Sequence, residues 1–273
     1  MFRADDAPRI PVDVWETLIR GARGFAMLHG IQQPKFYAET MCTRSEQDVD
    51  LIGAGFDAVT DSLRWWTLPT EPWYLSRAVL INRSGGLRVS FASSHDTETF
   101  AATYDDEHLR MTRLALTALM SSSFFMMEGT LSLQQAQPTV FLADHLGSTS
   151  HVENDFSDEG KKIRELVSLL IGVKKKYPIF RANPDISVTT SGGGDVQIKL
   201  TREFEEALLA MNLGLNQRAV EISPEFAFGH TFGVNLGHYS VVDLGLSIDR
   251  FTLAPNGIAV FHRDRPTRAP SPW

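Results

Sequence analysis

The sequence predicts an α/β protein in which a parallel sheet with flanking helices is followed by a smaller antiparallel β-domain. In the first two thirds, short apolar runs alternate with stretches of helical period, and the connections between them are short. Strands and helices that alternate in this way form βα units, whose parallel strands are buried on both faces. Beyond about residue 180, short strands follow one another at all-β spacing, which favours a small sandwich.

The βα part can be divided into elements by hydrophobic period and by turn signals. Helices are predicted in VDVWETLIRGARGF, in SEQDVDLIGAGF with Ser45 as cap and Gly55 as stop, in PWYLSRAVLIN and in DEHLRMTRLALTALMSS. Strands are predicted in PKFYAETM, DAVTDSLRWW and LRVSFASS, which have the aromatic and β-branched bias of buried strands. LALTALMSSSFFMM is interpreted as a buried helix that runs into a buried strand.

The β-domain follows a last helix in HVENDFSDEGKKIRELVSLLIGVKKKYPIF. DISVTTSGGGDVQIKL predicts two strands joined by a glycine turn, and the remaining strands are predicted in EALLAMNLG, RAVEIS, HYSVVDLGL and GIAVFHR. We therefore predict a βα unit with its final helix over residues 1–180, a β-sandwich over 181–264 and a loose tail over 265–273.

Composition excludes several classes of protein. The 273 residues carry a net charge of −7 with no basic stripe, so nucleic acid is not an expected partner. The longest apolar stretch, Leu114 to Met127, is broken by serines and too short for a bilayer, so no membrane partner is expected. The single cysteine, Cys42, fits a reducing compartment, and no secretory signal is visible, which predicts a cytoplasmic protein.

Three carboxylates are predicted at the ends of three successive strands. They are Asp5, Glu39 and Asp96, with Arg3 and His95 nearby. Each alone has a structural alternative: a cap or frayed terminal charge for the first, a solvated loop acid for the second, and a capping box in SHDTE for the third. Their joint position favours function, because active sites of barrels of alternating strands and helices lie at the carboxyl ends of the strands.

Such a cluster suits the cleavage of glycosidic bonds. That reaction needs one carboxylic acid to protonate the leaving oxygen and one carboxylate to attack or stabilise the anomeric carbon. A separation of about 5–5.5 Å between the two carboxyl groups gives retention of configuration through a covalent intermediate. A neighbouring arginine keeps the nucleophile ionised.

The segment FRADDAPRIPVDVWETLI resembles the nucleophile segment of the α-amylase superfamily, glycoside hydrolase family 13. KFYAET resembles the general-acid strand of that family, and VSFASSHDTETF resembles its histidine–aspartate motif. The resemblance implies that Asp5 is the nucleophile with Arg3 beside it and that Glu39 is the acid/base. It also implies that Asp96 stabilises the transition state and that His95 contacts a substrate hydroxyl.

The resemblance covers nearly the whole chain. GAGFDAVTDSLRWW is similar to the sixth-strand region of the maltosyltransferase-like branch or a neighbour, and FTLAPNGIAVFHR to the last strands of the family's C-terminal sandwich. It therefore implies about strands 4–8 of a (β/α)8 TIM barrel, that is, a partial barrel from the C-terminal part of such an enzyme. The sequence departs from the pattern at Met1, where the family has glycine, and at Asp6, where alanine is usual. FFMMEGTLSLQQ also matches the eighth strand poorly.

The resemblance implies a retaining α-glucan-active glycosidase or transglycosylase, present as a C-terminal fragment. The implied partners are an α-glucan or maltooligosaccharide and a missing N-terminal half-barrel, and neither a cofactor nor a metal is expected. The alternative is a non-catalytic glucan-binding remnant, or a half-barrel subunit that completes a partner. Trp65, Trp66 and Trp73 are candidates for a sugar-stacking platform, with core packing as the alternative.

Overall fold

Five short parallel strands lie side by side in chain order at the start of the protein. They are β1 (Phe2–Ala4), β2 (Phe36–Ala38), β3 (Ala58–Thr60), β4 (Leu87–Phe91) and β5 (Ser123–Phe125). The computed structural model describes residues 1–41, 43–66, 73–94, 97–126, 128–131, 158–190, 195–213, 216, 218–221, 231–235, 240–244, 250–253 and 256–264. The predicted α/β class with a parallel sheet is confirmed.

Helices occupy the connections between these five strands, and two further helices follow β5. They are α1 (Val12–Leu28), α2 (Ser45–Gly53), α3 (Trp73–Arg83), α4 (Phe100–Thr103), α5 (Glu107–Leu119), α6 (Glu128–Leu131) and α7 (Asp158–Lys176). In the described residues, three short 3-10 helices span Ala7–Arg9, Ser62–Trp65 and Pro178–Arg181. No helix in the described part of the chain is both long and apolar enough to cross a membrane.

Two local predictions are wrong in detail. The strand predicted in DAVTDSLRWW ends at Thr60, because the Asp61 carboxylate accepts a hydrogen bond from the backbone N–H of Leu63 at 2.9 Å and starts a 3-10 helix. Ser45 is the first residue of α2 rather than its cap. Gly55 lies just beyond the helix at φ 109°, a conformation that glycine adopts most readily.

The parallel sheet is buried on both faces, as its apolar strands predict. One face carries a cluster of Tyr37, Ala58 and Val89 with Phe125 packed against it. On the other face the strands pack against the helices, and this cluster consists of Ala4, Ala7, Ile19, Ala38, Leu51, Phe56, Val59 and Ile81. The side chains on the first face come from the strands themselves, and the helices on the other face hold the strands and their carboxyl ends in place.

A separate antiparallel region follows, as predicted. Its strands are β6 (Asp185–Thr190), β7 (Asp195–Arg202), β8 (Glu205–Asn212), β9 (Arg218–Glu221), β10 (Thr231–Asn235), β11 (Ser240–Leu244), β12 (Arg250–Leu253) and β13 (Ile258–Asp264). Six of them form a sheet in the order β11-β10-β13-β8-β7-β6, and β12 pairs with β9. Val220 of β9 and Leu253 of β12 share a cluster with residues of β8 and β13, so the small sheet packs on the large one.

The largest apolar cluster joins the antiparallel sheet to the helices beside the parallel sheet. It contains Leu116 of α5, Leu170 of α7, Val196 of β7, Leu209 of β8 and Val260 of β13, among others. The predicted glycine turn at 191–194 and the predicted tail at 265–273 lie outside the described residues.

Candidate active site

Arg3, Asp5 and Glu39 meet at the carboxyl ends of β1 and β2. Arg3 is in β1, and the two acids follow the ends of β1 and β2 directly. Arg3 Nη2 lies 2.9 Å from Asp5 Oδ1, and the same nitrogen donates a hydrogen bond to Glu39 Oε1. One guanidinium nitrogen therefore bridges the two carboxylates.

Glu39 is a buried acid with a partner on each carboxylate oxygen. It is 8% exposed, so the solvated loop acid, one alternative for this residue, does not describe it. Oε1 accepts from Arg3, and Oε2 accepts from the backbone N–H of Asp6 at 3.3 Å. The main chain is held as well, because the Glu39 N–H donates to the Ala4 carbonyl at 3.0 Å and its carbonyl accepts from Ala7 N–H at 3.3 Å.

Asp6 has a left-handed backbone conformation, with φ 42° and ψ 44°. Aspartate tolerates this region better than alanine does, because its short polar side chain can form local interactions. Its carboxylate lies 2.6 Å from Arg9 Nε. This conformation forms the turn that aims the Asp6 N–H at Glu39.

The electrostatics of the cluster favour a permanent positive charge at Arg3. Burial by itself lowers the pKa of Arg3, but the hydrogen bond to Glu39 and the negative charges of Glu39 and Asp5 raise it above its ordinary value. Burial raises the pKa of Tyr37 in β2, whose hydroxyl lies 2.8 Å from Thr60 Oγ1. Tyr37 is therefore a neutral neighbour of the charged cluster.

Asp5 differs from Glu39 in its exposure. Its side chain is 77% exposed, against 10% for the side chain of Glu39. An ion pair at such an exposed position contributes little to stability, about 0–1 kcal/mol. The contact with Arg3 orients Asp5 without anchoring it firmly.

His95 and Asp96 lie outside the described residues. The flanking Ser94 N–H donates to Thr97 Oγ1 at 2.8 Å, and α4 begins at Phe100 with Thr99 as its cap. The preceding strand is β4, so the three predicted carboxylates follow β1, β2 and β4 rather than three successive strands. The described structure thus brings together Arg3, Asp5 and Glu39.

The intervening strand β3 ends at a different carboxylate, Asp61, which the motif pattern does not single out. Asp61 Oδ2 lies 3.0 Å from Arg88 Nη1 and accepts a hydrogen bond from the Tyr74 hydroxyl at 2.9 Å. All three side chains are buried, and burial followed by the charge of Asp61 raises the pKa of Tyr74 well above its usual value. This group ties β3 and β4 to α3 and makes Asp61 a structural residue.

The three tryptophans have different environments. Trp66 is 1% exposed and stacks on Tyr74 with ring centroids 4.7 Å apart. It is therefore a core residue, the alternative to a sugar-stacking role. Trp65 and Trp73 are each 37% exposed, and Trp65 rests edge-on against Phe91 at 5.6 Å. Trp65 and Trp73 each therefore present surface to a ligand.

One group in the described residues has the donor atoms of a metal site. Glu205, His262 and Asp264 place one ligand atom each within 4.8 Å of one another on β8 and β13. His262 Nε2 lies 3.1 Å from Glu205 Oε1, so the pair already satisfies one contact of each residue. Sequence spacing does not find this group because Glu205 lies 57 positions before His262 and meets it only through strand pairing.

The fold is shared with solved structures of α-amylases and related glycosidases. The α-amylase of Geobacillus thermoleovorans in complex with acarbose matches with a TM-score of 0.68 and 14% identity, over 97% of this chain and 60% of its own. AmyP in complex with maltose matches with a TM-score of 0.72 and 12% identity, over 98% and 64%. The cyclic α-maltosyl-(1→6)-maltose hydrolase of Arthrobacter globiformis matches with a TM-score of 0.64 and 14% identity, over 96% and 56%.

These similarities show the fold of the chain and how much of each matched structure the chain covers. At such identities they show that the chain has the fold of part of an α-amylase-type glycosidase. The chain spans about three fifths of the length of the structures it matches. No protein-family model and no curated protein matches the sequence.

Proposed function

We propose that the chain carries the nucleophile and the acid/base of a retaining α-glucan-active glycosidase or transglycosylase. Asp5 attacks the anomeric carbon, Glu39 protonates the leaving oxygen and then activates water or an acceptor sugar, and Arg3 orients the nucleophile. The observation that carries the proposal is the single Arg3 nitrogen in contact with both carboxylates. Relatives in fold are solved with maltose, maltotriose and acarbose, which supports an α-glucan or maltooligosaccharide as substrate.

The geometry of the pair is compatible with retention. Two oxygens that hydrogen-bond to one nitrogen lie no more than about 6 Å apart. Retaining glycosidases hold their two carboxyl groups about 5–5.5 Å apart, whereas inverting enzymes leave about 6.5–9.5 Å for a water. The bridge by Arg3 therefore supports the double-displacement reaction.

Glu39 keeps room for the proton that a general acid carries. Oε1 accepts from Arg3 and Oε2 accepts from the Asp6 N–H at 3.3 Å, and each carboxylate oxygen has a second lone pair. A general acid needs one oxygen within hydrogen-bond reach of the glycosidic oxygen. We infer that Oε2, the oxygen without the contact to Arg3, faces the leaving group.

The remaining roles follow from the family resemblance. In this proposal Asp96 stabilises the transition state, His95 contacts a sugar hydroxyl, and Trp65 offers a stacking face. We assign residues 1–180 to strands 4–8 of a (β/α)8 barrel of the maltosyltransferase-like branch or a neighbour. Residues 181–264 then form the C-terminal sandwich, and we retain the cytoplasm as the expected location.

We also propose that a further βα layer, on this polypeptide or on a partner, covers β1 and α1. Within the described ranges no strand pairs with the outer edge of β1, and open sheet edges are normally paired or covered. Phe2 on that strand is 62% exposed. A half-barrel of the kind implied by the resemblance would supply the missing neighbour.

The proposal is tested by the cleavage of maltoheptaose. We expect Asp5→Asn and Glu39→Gln each to lower the rate of cleavage at least a thousandfold, because each removes an interaction that the transition state requires. Asp13→Asn and Glu16→Gln are matched controls on α1 and should leave the rate unchanged. Cleavage that survives Asp5→Asn would refute the assignment, and binding of maltoheptaose without cleavage by the unaltered chain would favour the non-catalytic alternative.

A further inference from the structure

Glu205, His262 and Asp264 form a cluster of three potential metal ligands at one end of the antiparallel sheet. Glu205 is the first residue of β8, and the other two lie near the end of β13. Asp264 is directly opposite Glu205 in the strand pairing, and His262 is two residues before Asp264, so the three side chains lie on one face of the sheet. One donor atom of each lies within 4.8 Å of the others. None of the three belongs to the candidate active site.

His262 is held with its Nε2 towards the carboxylates. The residue is 5% exposed, and its ring packs on the ring of Tyr177 with centroids 4.3 Å apart. Nε2 lies 3.1 Å from Glu205 Oε1. Neutral imidazole offers a lone pair at one ring nitrogen and is the commonest metal ligand among side chains. A buried ring that is already oriented in this way loses little freedom when it binds an ion.

The two carboxylates of the cluster, Glu205 and Asp264, repel each other across the strand pair. They occupy directly opposite positions, where like charges destabilise an antiparallel pair. A proton on His262 balances only one of the two negative charges. A divalent cation bound by the neutral imidazole and both carboxylates balances the two charges completely. The composition of the cluster therefore favours a bound divalent cation.

Basic side chains around this end of the sheet contact other groups. Arg263 Nε donates to Glu206 at 2.7 Å, and Lys199 Nζ lies 3.3 Å from the same carboxylate. Glu206 lies on the opposite face of the sheet from the cluster, because successive side chains of a strand alternate. Arg202 of β7 is on the cluster's face, but its guanidinium donates to the Pro178 carbonyl at 3.5 Å. These contacts direct the three positive charges to other acceptors.

The spacing of the donor atoms suits zinc. Zinc binds imidazole nitrogen at about 2.0–2.1 Å and carboxylate oxygen at about 2.0–2.2 Å, so two such donors at a tetrahedral angle lie about 3.3–3.6 Å apart. His262 Nε2 and Glu205 Oε1 are already 3.1 Å apart. Asp264 is exposed, so its side chain can rotate to bring in the third donor. Three protein ligands leave the fourth position of a zinc ion to water.

We propose that Glu205, His262 and Asp264 bind a zinc ion that joins the ends of β8 and β13. The imidazole selects zinc over calcium and magnesium, which prefer oxygen ligands throughout. The three donors meet only when the two strands pair, so the binding of zinc stabilises the folded chain. This site is independent of the proposed function, because it shares no residue with the candidate active site.

The experiment is isothermal titration of zinc chloride into the full chain after removal of bound metals with EDTA. We expect zinc to bind, and we expect Asp264→Asn and His262→Gln each to lower the affinity at least tenfold. Asp264 is exposed, so Asp264→Asn keeps the test valid if the buried His262→Gln variant does not fold. His29→Gln and Asp185→Asn change exposed residues outside the cluster and are the matched controls, which should bind zinc like the unaltered chain.

Thermal melts give a second measurement. Zinc should raise the melting temperature of the unaltered chain more than that of Asp264→Asn, because an ion that binds the folded state stabilises it. Calcium at the same concentration should have a smaller effect on the unaltered chain. Equal zinc affinity of the unaltered chain and of folded Asp264→Asn would overturn the site, and so would a chain that binds no zinc. Tighter binding of calcium than of zinc would overturn the assignment of the ion.

Discussion

Helices α5 and α1 flank the same parallel sheet but have opposite environments. Most of α5 is buried, because α7 and the antiparallel sheet cover the side that faces away from the strands. Of the 17 residues of α1, only Ile19 and Ala26 are buried. The comparison shows that one end of the parallel sheet is enclosed by the chain's own β-domain and that the other is open.

The open side is apolar rather than polar. Val14, Leu18, Phe25 and Leu28 of α1 recur at helical spacing and are between 42% and 81% exposed. These four residues form an apolar stripe on α1, next to the face of the helix that packs on the sheet through Ile19. Contiguous exposed apolar surface of this kind is typical of an interface, which is why we propose that a further layer covers α1.

The largest effect on stability is expected at the buried ion pair between Arg88 and Asp61. Arg88→Ala should lower the free energy of unfolding by about 3–5 kcal/mol, because it leaves the buried Asp61 carboxylate without its cation. Denaturant unfolding measures the loss. Arg20→Ala, which removes an exposed ion pair with Glu16, is the control and should cost less than about 0.5 kcal/mol. Equal effects of the two changes would contradict the buried pairing.

Two leucines, one buried in α7 and one exposed in α1, test the difference in burial between the two sides of the sheet. Leu170→Ala in α7, where the side chain is 1% exposed, should cost about 2–5 kcal/mol through lost burial and a cavity. Leu18→Ala in α1, 55% exposed, should change the free energy of unfolding by no more than about 0.5 kcal/mol. If Leu18→Ala costs as much as Leu170→Ala in this chain by itself, the chain's own residues cover the α1 face and the comparison fails.

The buried ammonium of Lys174 should make the enclosed side sensitive to pH. Burial, with the charges of Arg88 and Arg181, lowers the pKa of Lys174 to about 7, and its Nζ donates to the carbonyls of Ala118 and Ser121. In the unfolded chain the ammonium keeps its proton to about pH 10.5, so that state binds more protons between the two values. Stability therefore rises with pH across this window.

The size of this effect can be measured against a variant. Relative to Lys174→Met, the free energy of unfolding of the unaltered chain should rise by up to about 1.4 kcal/mol per pH unit above pH 7. Denaturant melts at pH 7, 8 and 9 provide the test. Parallel pH profiles of the two proteins would show that Lys174 keeps its proton in the folded state.

The smallest effect on stability is expected on the open side. Phe25→Ser, at a side chain 59% exposed, should change the free energy of unfolding by less than about 0.5 kcal/mol. It should nevertheless reduce the binding of a hydrophobic dye such as ANS, because it interrupts the apolar stripe. Unchanged dye fluorescence would argue against a continuous apolar surface on α1.

Sequence patterns predicted the helices and strands whose burial follows a local period. They did not predict features that depend on contacts between distant segments. The βα alternation and the later strands could be predicted because burial on one or both faces leaves a period in the sequence. Glu39 and Arg3 could be selected by their position at strand ends and by a motif, but nothing local shows that one nitrogen joins residues 36 positions apart. The end of β3 at Thr60 was missed because one hydrogen bond from Leu63 to Asp61 decides it.

Lys174 shows the same limit. KKK at the end of α7 does not distinguish Lys174 from its two neighbours, and only a folded chain places the carbonyl of Ala118 against the Lys174 ammonium. The roles of the tryptophans could not be predicted for a similar reason. Trp65 and Trp66 are adjacent in sequence, and only packing makes the first partly exposed and the second a core residue.

The most direct test of the central claim is to trap a sugar on Asp5. A maltosyl fluoride needs no acid for departure of fluoride, so Glu39→Gln should form the glycosyl–enzyme bond and then hydrolyse it slowly. Mass spectrometry of proteolytic peptides should find one maltosyl unit on the peptide that contains Asp5 and none in the Asp5→Asn, Glu39→Gln double variant. An unmodified Asp5 peptide, or a label on another residue, would contradict the account.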